Sequence, residues 1–168
     1  MKKYIVLVLT ILSMSATVNA QYALGIGESQ LNAGVGFSSY GLPVYLGFDY
    51  GVEKDISVGF QGSYRSYYHR WDKYRYHSSI SAFGLNGNYH FGGIANLPTK
   101  VDIYAGLNVG FYIWNHEYDY PGARASRLGP GAQAGFRYYF NNRVAINLEL
   151  GGGYQSFGDG KIGLTFKL

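Results

Sequence analysis

The sequence predicts an all-β protein, an eight-stranded antiparallel up-and-down β-barrel that crosses a membrane. Apolar side chains recur at every second position in eight segments, which is the period of a strand with one dry face. Charged residues make up 14% of the 168 residues and aromatic residues 18%, a balance that argues against both an ordinary soluble domain and a disordered chain. Short and long connections alternate between the segments, as they do in transmembrane barrels.

The apolar positions define the eight predicted strands in order. The fifth strand is the clearest, because the alternate residues from Val101 to Ile113 are all apolar. In chain order the segments cover residues 31–37, 44–52, 56–64, 83–91, 101–113, 132–140, 144–154 and 162–168.

The opposite face of these strands is rich in Gly, Ser and Asn. A strand face in water normally carries Thr, Lys, Glu or Arg, whereas glycine weakens a strand and exposes its backbone. Small polar residues suit the crowded interior of a narrow barrel. The pattern therefore favours a membrane barrel with its apolar face outward. The alternative is a soluble secreted barrel of lipocalin type that binds an apolar ligand inside.

Residues 1–20 have the features of a secretory signal peptide. Lys2 and Lys3 precede an apolar run, and Val18-Asn19-Ala20 fits the small-x-small rule for cleavage. The apolar run is shorter than the roughly 20 residues of a spanning helix. The predicted organisation is a signal peptide at 1–20, a short periplasmic N-terminal segment at 21–30 and the barrel at 31–168.

Charge and residue types exclude several classes of function. The formal net charge of +4 comes from 14 basic and 10 acidic residues, and loss of Lys2 and Lys3 lowers it to +2, too little for a nucleic-acid interface. The chain has no cysteine, so a disulfide framework and a thiolate zinc site are excluded. The four histidines lack metal-ligand spacing, and there is no dinucleotide fingerprint. We expect no cofactor, no metal and no nucleic-acid partner.

The alternating strands and the C-terminal residues Gly163-Leu164-Thr165-Phe166-Lys167-Leu168 resemble the small eight-stranded outer-membrane barrels of OmpA/OmpX type, over residues 31–168. The resemblance implies location in the outer membrane of a Gram-negative cell envelope. Because the sequence ends with the last predicted strand, we expect no appended periplasmic domain, unlike the larger members of the group. The last residues are similar to the signal that the barrel assembly machinery reads during insertion, with Leu168 in place of the commoner phenylalanine.

Three charged residues on the inward face of consecutive strands form one candidate site: Arg137, Glu149 and Lys167. The hairpin register places Glu149 diagonal to Arg137, and one register brings Lys167 beside Glu149. Charges in a dry interior must be paired. We predict that this lumen charge cluster is a structural plug, with an ion-pair gate over a narrow path as the alternative.

A second candidate site is the basic and aromatic segment 65–77, which is predicted to be a long external loop. Such a mixture is typical of an aromatic girdle that continues into a loop facing outer-membrane lipids and lipopolysaccharide phosphates. Recognition of an unidentified external partner is the alternative. The candidate surface-interaction residues are Tyr67, Tyr68, Arg70, Trp71, Lys73 and Arg75.

Catalysis is a weaker prediction. His77 and Ser79 could act as base and nucleophile, but such a pair needs an orienting acid, and Asp102 is predicted near the opposite rim. The sequence therefore predicts a non-enzymatic outer-membrane barrel with a side-chain-filled lumen. Its expected role is envelope integrity, surface interaction through long external loops, or both. The alternative enzyme is an outer-membrane lipid-modifying hydrolase.

Overall fold

The computed structural model describes residues 24–38, 41–71, 74–116, 127–153 and 160–168. Eight strands form one closed antiparallel barrel in which each strand pairs with the next and β1 pairs with β8. The strands are β1 Ser29–Phe37, β2 Val44–Glu53, β3 Ile56–Trp71, β4 Tyr74–His90, β5 Val101–His116, β6 Arg127–Tyr139, β7 Val144–Gly153 and β8 Gly160–Lys167. No helix among these residues is long and apolar enough to span a membrane.

The exterior of the barrel is apolar and the interior is polar, because successive side chains of a strand point to opposite faces. Leu107 on β5 is 73% exposed, whereas Asp102 and Tyr104 on the same strand are buried. The same alternation runs through the other strands. The predicted fold class, with eight strands in sequence order, is confirmed.

The two ends of the barrel differ. We call the end that carries Ser29, Leu168 and the turns before β3, β5 and β7 the terminal rim, and the opposite end the hairpin rim. Toward the hairpin rim the interior holds an apolar cluster of Ile80, Ala82, Tyr112 and Trp114, with Tyr67 packed against it. Toward the terminal rim the interior is polar and charged.

The predicted loop at 65–77 is wrong in its secondary structure. β3 continues to Trp71 and β4 begins at Tyr74, and the two strands stay paired up to these residues. Aromatic residues favour strands, and beyond the apolar belt charged residues are compatible with a strand because both faces can be hydrated. Five of the six candidate residues therefore lie on strands, while Lys73 lies outside the described residues.

The barrel begins two residues earlier than predicted. Ser29 and Gln30 pair with Tyr50 and Asp49 of β2, near the terminal rim. The segment before Ser29 is hydrogen-bonded to the same strand. The Gly27 N–H donates to the Gly51 carbonyl at 2.8 Å, and the Gly51 N–H donates to the Glu28 carbonyl at 3.0 Å. The predicted signal peptide lies outside the described residues.

Candidate functional site

Arg137 on β6 is the centre of the polar interior. Its guanidinium donates to Asp102 of β5 at 3.0 Å and to Asp49 of β2 at 2.9 Å, and it stacks on the Tyr104 ring with 4.2 Å to the ring centre. All four side chains are buried. A buried guanidinium needs such partners because unpaired charge is costly in a dry interior, so one arginine fixes two carboxylates on different strands.

Asp49 receives further donors from β1. Gln30 donates to the same carboxylate oxygen as Arg137 at 3.0 Å, and Asn32 does so at 2.9 Å. Tyr139 in turn donates to the Gln30 side chain at 3.0 Å. The carboxylate thus links β1, β2 and β6 across the lumen, with Arg137 neutralising its charge and the two amides donating further hydrogen bonds.

Asp102 links Arg137 to a chain of two more side chains. Its second oxygen lies 2.8 Å from His90 Nδ1, and His90 Nε2 lies 2.9 Å from Ser57 Oγ. This Ser-His-Asp connectivity is that of a nucleophilic triad. Catalysis also needs access for a substrate and donors about 3 Å from its oxyanion. Ser57 is fully buried, so in this geometry the chain joins β3, β4 and β5 and presents no nucleophile.

A second ion pair lies closer to the hairpin rim. Lys161 of β8 pairs with Glu149 directly opposite on β7, and Lys161 also donates to Gln61 of β3 at 2.9 Å. The Tyr104 hydroxyl donates to Glu149 at 2.8 Å. Because Tyr104 also lies under Arg137, its side chain connects the two ion-paired groups into one network.

A third ion pair closes the terminal rim. Lys167 of β8 lies 2.7 Å from Glu28, and the Gly25 N–H donates to the same carboxylate at 2.6 Å. Partial burial raises the pKa of the Glu28 carboxyl, but the hydrogen bonds from Lys167 and Gly25 outweigh it, so this pKa lies below its usual value. The pair holds the N-terminal segment against the last strand.

The predicted register between β6 and β7 is confirmed, since Asn147 lies opposite Arg137 and Glu149 is diagonal to it. The predicted ion pairs within the lumen charge cluster are wrong. Arg137, Glu149 and Lys167 all project from the inward face, but each has different partners: Arg137 has Asp49 and Asp102, Glu149 has Lys161, and Lys167 has Glu28. The register between β7 and β8 explains why Lys167 does not lie beside Glu149. β8 begins at Gly160, which places Lys161 opposite Glu149 and leaves Lys167 six residues further on, at the terminal rim.

Sequence analysis missed Lys161 and Tyr104. Lys161 lies just before residue 162, where the apolar pattern of the last predicted strand begins, although its alternation with Thr165 and Lys167 places it on the inward face. Tyr104 was overlooked because an aromatic residue fits the apolar outer face as well as the interior, yet its parity with Asp102 places it inside. Both residues could have been found by following the alternation of inward and outward positions along each strand for every residue type, aromatic and charged residues included.

The alternative catalytic residues do not meet. His77 lies on the outward face of β4 and its ring packs against Tyr68 at 5.2 Å between ring centres. Ser79 is on the same outward face, whereas Asp102 is inside, at the terminal rim. The structure brings no acid from the described residues to this pair.

The side chains fill the middle of the lumen. A cavity among the network residues has a volume of about 10 Å³, which is room for about one water molecule. An apolar exterior around an interior packed with paired charges defines the class of small transmembrane barrels, in which eight strands leave an interior just wide enough for side chains.

Comparisons with solved structures agree with this class. OprG from Pseudomonas aeruginosa matches with a TM-score of 0.65 and 11% identity, over 88% of this chain and 99% of that chain. The N-terminal barrel domain of Pseudomonas aeruginosa OprF matches at 0.61 and 16%, over 86% and 99%. Neisserial surface protein A matches at 0.58 and 13%, over 84% and 94%. These likenesses show the fold, the eight-stranded barrel of outer-membrane proteins. Neither a protein-family model nor a curated protein sequence matches the chain.

Proposed function

We propose that this protein is a non-enzymatic integral outer-membrane barrel with a closed lumen, which contributes to envelope integrity and presents surface elements at its hairpin rim. The observation that carries the proposal is the interior network centred on Arg137 and Glu149, because it occupies the path that a pore would need. The solvent-exposed apolar belt supports membrane insertion, since so large an apolar surface is not stable in water.

The partners follow from the same architecture. Lipid acyl chains cover the apolar belt, and lipopolysaccharide surrounds the hairpin rim. The barrel assembly machinery receives the chain during insertion through its last strand, where Leu164 and Phe166 face outward and are exposed. In this proposal the long connections of the hairpin rim are external, as in other outer-membrane barrels.

Fractionation and conductance together test the proposal. The protein should sediment with outer membranes, shift in mobility on heating in detergent gels, and give no stable porin-sized conductance in planar bilayers. Recovery from the soluble periplasm without detergent would favour the secreted barrel instead. A large steady conductance of the unmodified protein would contradict the closed lumen.

A lipid hydrolase is the second candidate, and the Ser57–His90–Asp102 chain is the observation that favours it. A fluorophosphonate probe, which labels activated serines, distinguishes the two. We expect no labelling of the folded barrel, because Ser57 is buried. Labelling of the unmodified protein that disappears in both Ser57→Ala and His90→Ala would establish the hydrolase.

A further inference from the structure

A groove runs over the outer surface of the barrel between two rows of outward side chains. Each row follows the register of the paired strands. One row runs from Leu31 on β1 to Val109 on β5, and the other runs from Leu46 on β2 to Leu128 on β6. The space between the rows has a volume of about 600 Å³, within the range of about 300 to 1,000 Å³ that is typical of ligand-binding clefts.

The walls of the groove are apolar, and one wall has a notch at Gly62. In the first row the Phe48 and Phe60 rings stack at 5.5 Å between their centres. In the second row Gly62 lies between Leu46 and Phe83. A Cβ at Gly62 would lie 3.6 Å from the Phe83 ring, which is an ordinary contact, so packing does not exclude a side chain here. Glycine weakens a strand, and an apolar chain seated in the notch would offset this cost through dispersion contacts.

The length and height of the groove match a lipid chain of one leaflet. Five intervals between six strands are about 24 Å at a spacing of about 4.8 Å, which is about 17 Å along the membrane normal at a tilt of about 45°. One leaflet contributes about half of the roughly 30 Å hydrocarbon core. The outward apolar positions of β5 run from Val101 to Ile113, so Val109 and Phe111 lie in the half nearer the hairpin rim. The groove therefore lies mainly in the leaflet at the hairpin rim.

The path of the groove selects a flexible occupant. The groove passes around six of the eight strands of the closed barrel, whereas a second rigid barrel would contact only neighbouring strands of that path. A hydrocarbon chain can follow the curve. Inside a bilayer association depends on van der Waals packing, because the surrounding lipid is as apolar as the side chains. A chain in the groove gains contacts on two walls that chains elsewhere on the belt lack.

We propose that this groove binds one acyl chain of lipopolysaccharide, which enters from the hairpin rim and fills the notch at Gly62. The inference rests on the proposed function, since it needs the hairpin rim to face the outer leaflet, where lipopolysaccharide is the lipid. It adds to that function a defined lipid site on the barrel surface.

The test places the photoreactive residue p-benzoylphenylalanine in the groove wall in place of Phe111. The matched control carries it in place of Phe37, an exposed outward phenylalanine of β1 that does not line the groove. Each full-length protein is irradiated in the outer membrane of a Gram-negative host, and its adducts are identified by mass spectrometry. Gly62→Leu, combined with the Phe111 replacement, fills the notch. Gly87→Leu is its control, because Gly87 lies outside the groove and has no atom within 4 Å of an added Cβ.

We expect the Phe111 position to give about ten times more lipopolysaccharide adduct than the Phe37 position, and Gly62→Leu to lower that yield about tenfold, equivalent to about 1.4 kcal/mol. Gly87→Leu should leave the yield unchanged. Heat-modifiable mobility confirms that each variant is folded.

Equal yields at Phe111 and Phe37, or a yield that Gly62→Leu does not change, would show ordinary lipid contact around the barrel and overturn the proposal. Phospholipid adducts in place of lipopolysaccharide adducts would overturn lipopolysaccharide as the occupant, and adducts between two barrels would assign the groove to a second copy. Recovery of the protein from the soluble periplasm contradicts the proposed function instead, so the two failures are distinguishable.

Discussion

At the scale of single residues, Gly135 shows how tightly the interior is packed. A Cβ at this position would overlap the ring of Tyr104, which is itself held by Arg137 and Glu149. We predict that Gly135→Ala lowers the free energy of unfolding by about 1 to 3 kcal/mol, the usual range for an overpacked core. Gly87→Ala is the control, because no atom lies within 4 Å of an added Cβ there. Denaturant unfolding in lipid vesicles measures both, and equal effects would mean that Tyr104 is free to move.

The adjacent residues Leu107 and Asn108 test the assignment of the two faces. Leu107 is 73% exposed on the outer surface, and arginine at a lipid-facing midplane position costs about 2 to 4 kcal/mol. Asn108 points inward and donates to the buried Gln133 at 2.9 Å, so Asn108→Ser should cost about 1 to 3 kcal/mol, because the Gln133 oxygen loses its donor. The unfolding free energies of Leu107→Arg and Asn108→Ser in vesicles give the comparison. A smaller loss of unfolding free energy in Leu107→Arg than in Asn108→Ser would mean that the inward and outward faces are assigned the wrong way round.

At the scale of elements, the Glu28–Lys167 pair couples the N-terminal segment to β8 in a pH-dependent way. Because the pKa of Glu28 is lowered in the folded state, the pair stabilises the barrel above the unfolded pKa of about 4.5 and loses this effect as the pH falls through the folded value. We predict that Glu28→Gln lowers the urea midpoint at pH 7 and that the difference from the parent closes below about pH 4.5. Glu53→Gln, at an exposed glutamate of the same rim, is the matched control and should change the urea midpoint at pH 7 little, as exposed surface substitutions usually do. A difference that persists unchanged at pH 3 would contradict the coupling.

The strands could be predicted from the sequence where lipid requires an apolar residue at every second position. Between Val101 and Ile113 one face meets lipid, so every second residue is apolar and the strand is evident. Above the belt no such constraint acts, and the strand character of residues 65–71 was hidden by their charges. The start of β8 was missed for a related reason, because Lys161 is an inward residue at the end of the apolar pattern. The least predictable charge partner was Asp49, since Arg137 and Asp49 lie on strands that are not neighbours and meet across the interior of the closed barrel. Arg137 and Asp102, by contrast, lie directly opposite on neighbouring strands.

At the scale of the whole molecule, the lumen is closed by two layers of different chemistry. The layer nearer the terminal rim is the charged network, in which side chains from β2, β5 and β6 meet at Arg137. The layer nearer the hairpin rim is the cluster that includes Tyr112 and Trp114, and the buried Arg65 lies opposite Ile80 of this cluster and donates to Ser38 at 2.8 Å. A cation that passed the first layer would still have to pass these bulky side chains and the positive charge of Arg65. The two layers are therefore expected to seal the barrel independently.

This independence predicts a specific pattern of conductance. Glu149→Ala alone leaves Lys161 without its carboxylate and should cost about 3 to 5 kcal/mol of stability, the typical effect of breaking a buried pair, while Glu149→Ala/Lys161→Ala removes both charges and should cost less. Neither variant should conduct in planar bilayers, because the apolar cluster remains. Tyr112→Ala/Trp114→Ala should also stay closed, because the network remains. The combination of both double variants should stay closed too, because Arg137 keeps Asp49 and Asp102 as partners. A conductance from Glu149→Ala/Lys161→Ala by itself would show that the ion pair is the barrier, and would favour a gate over a structural plug.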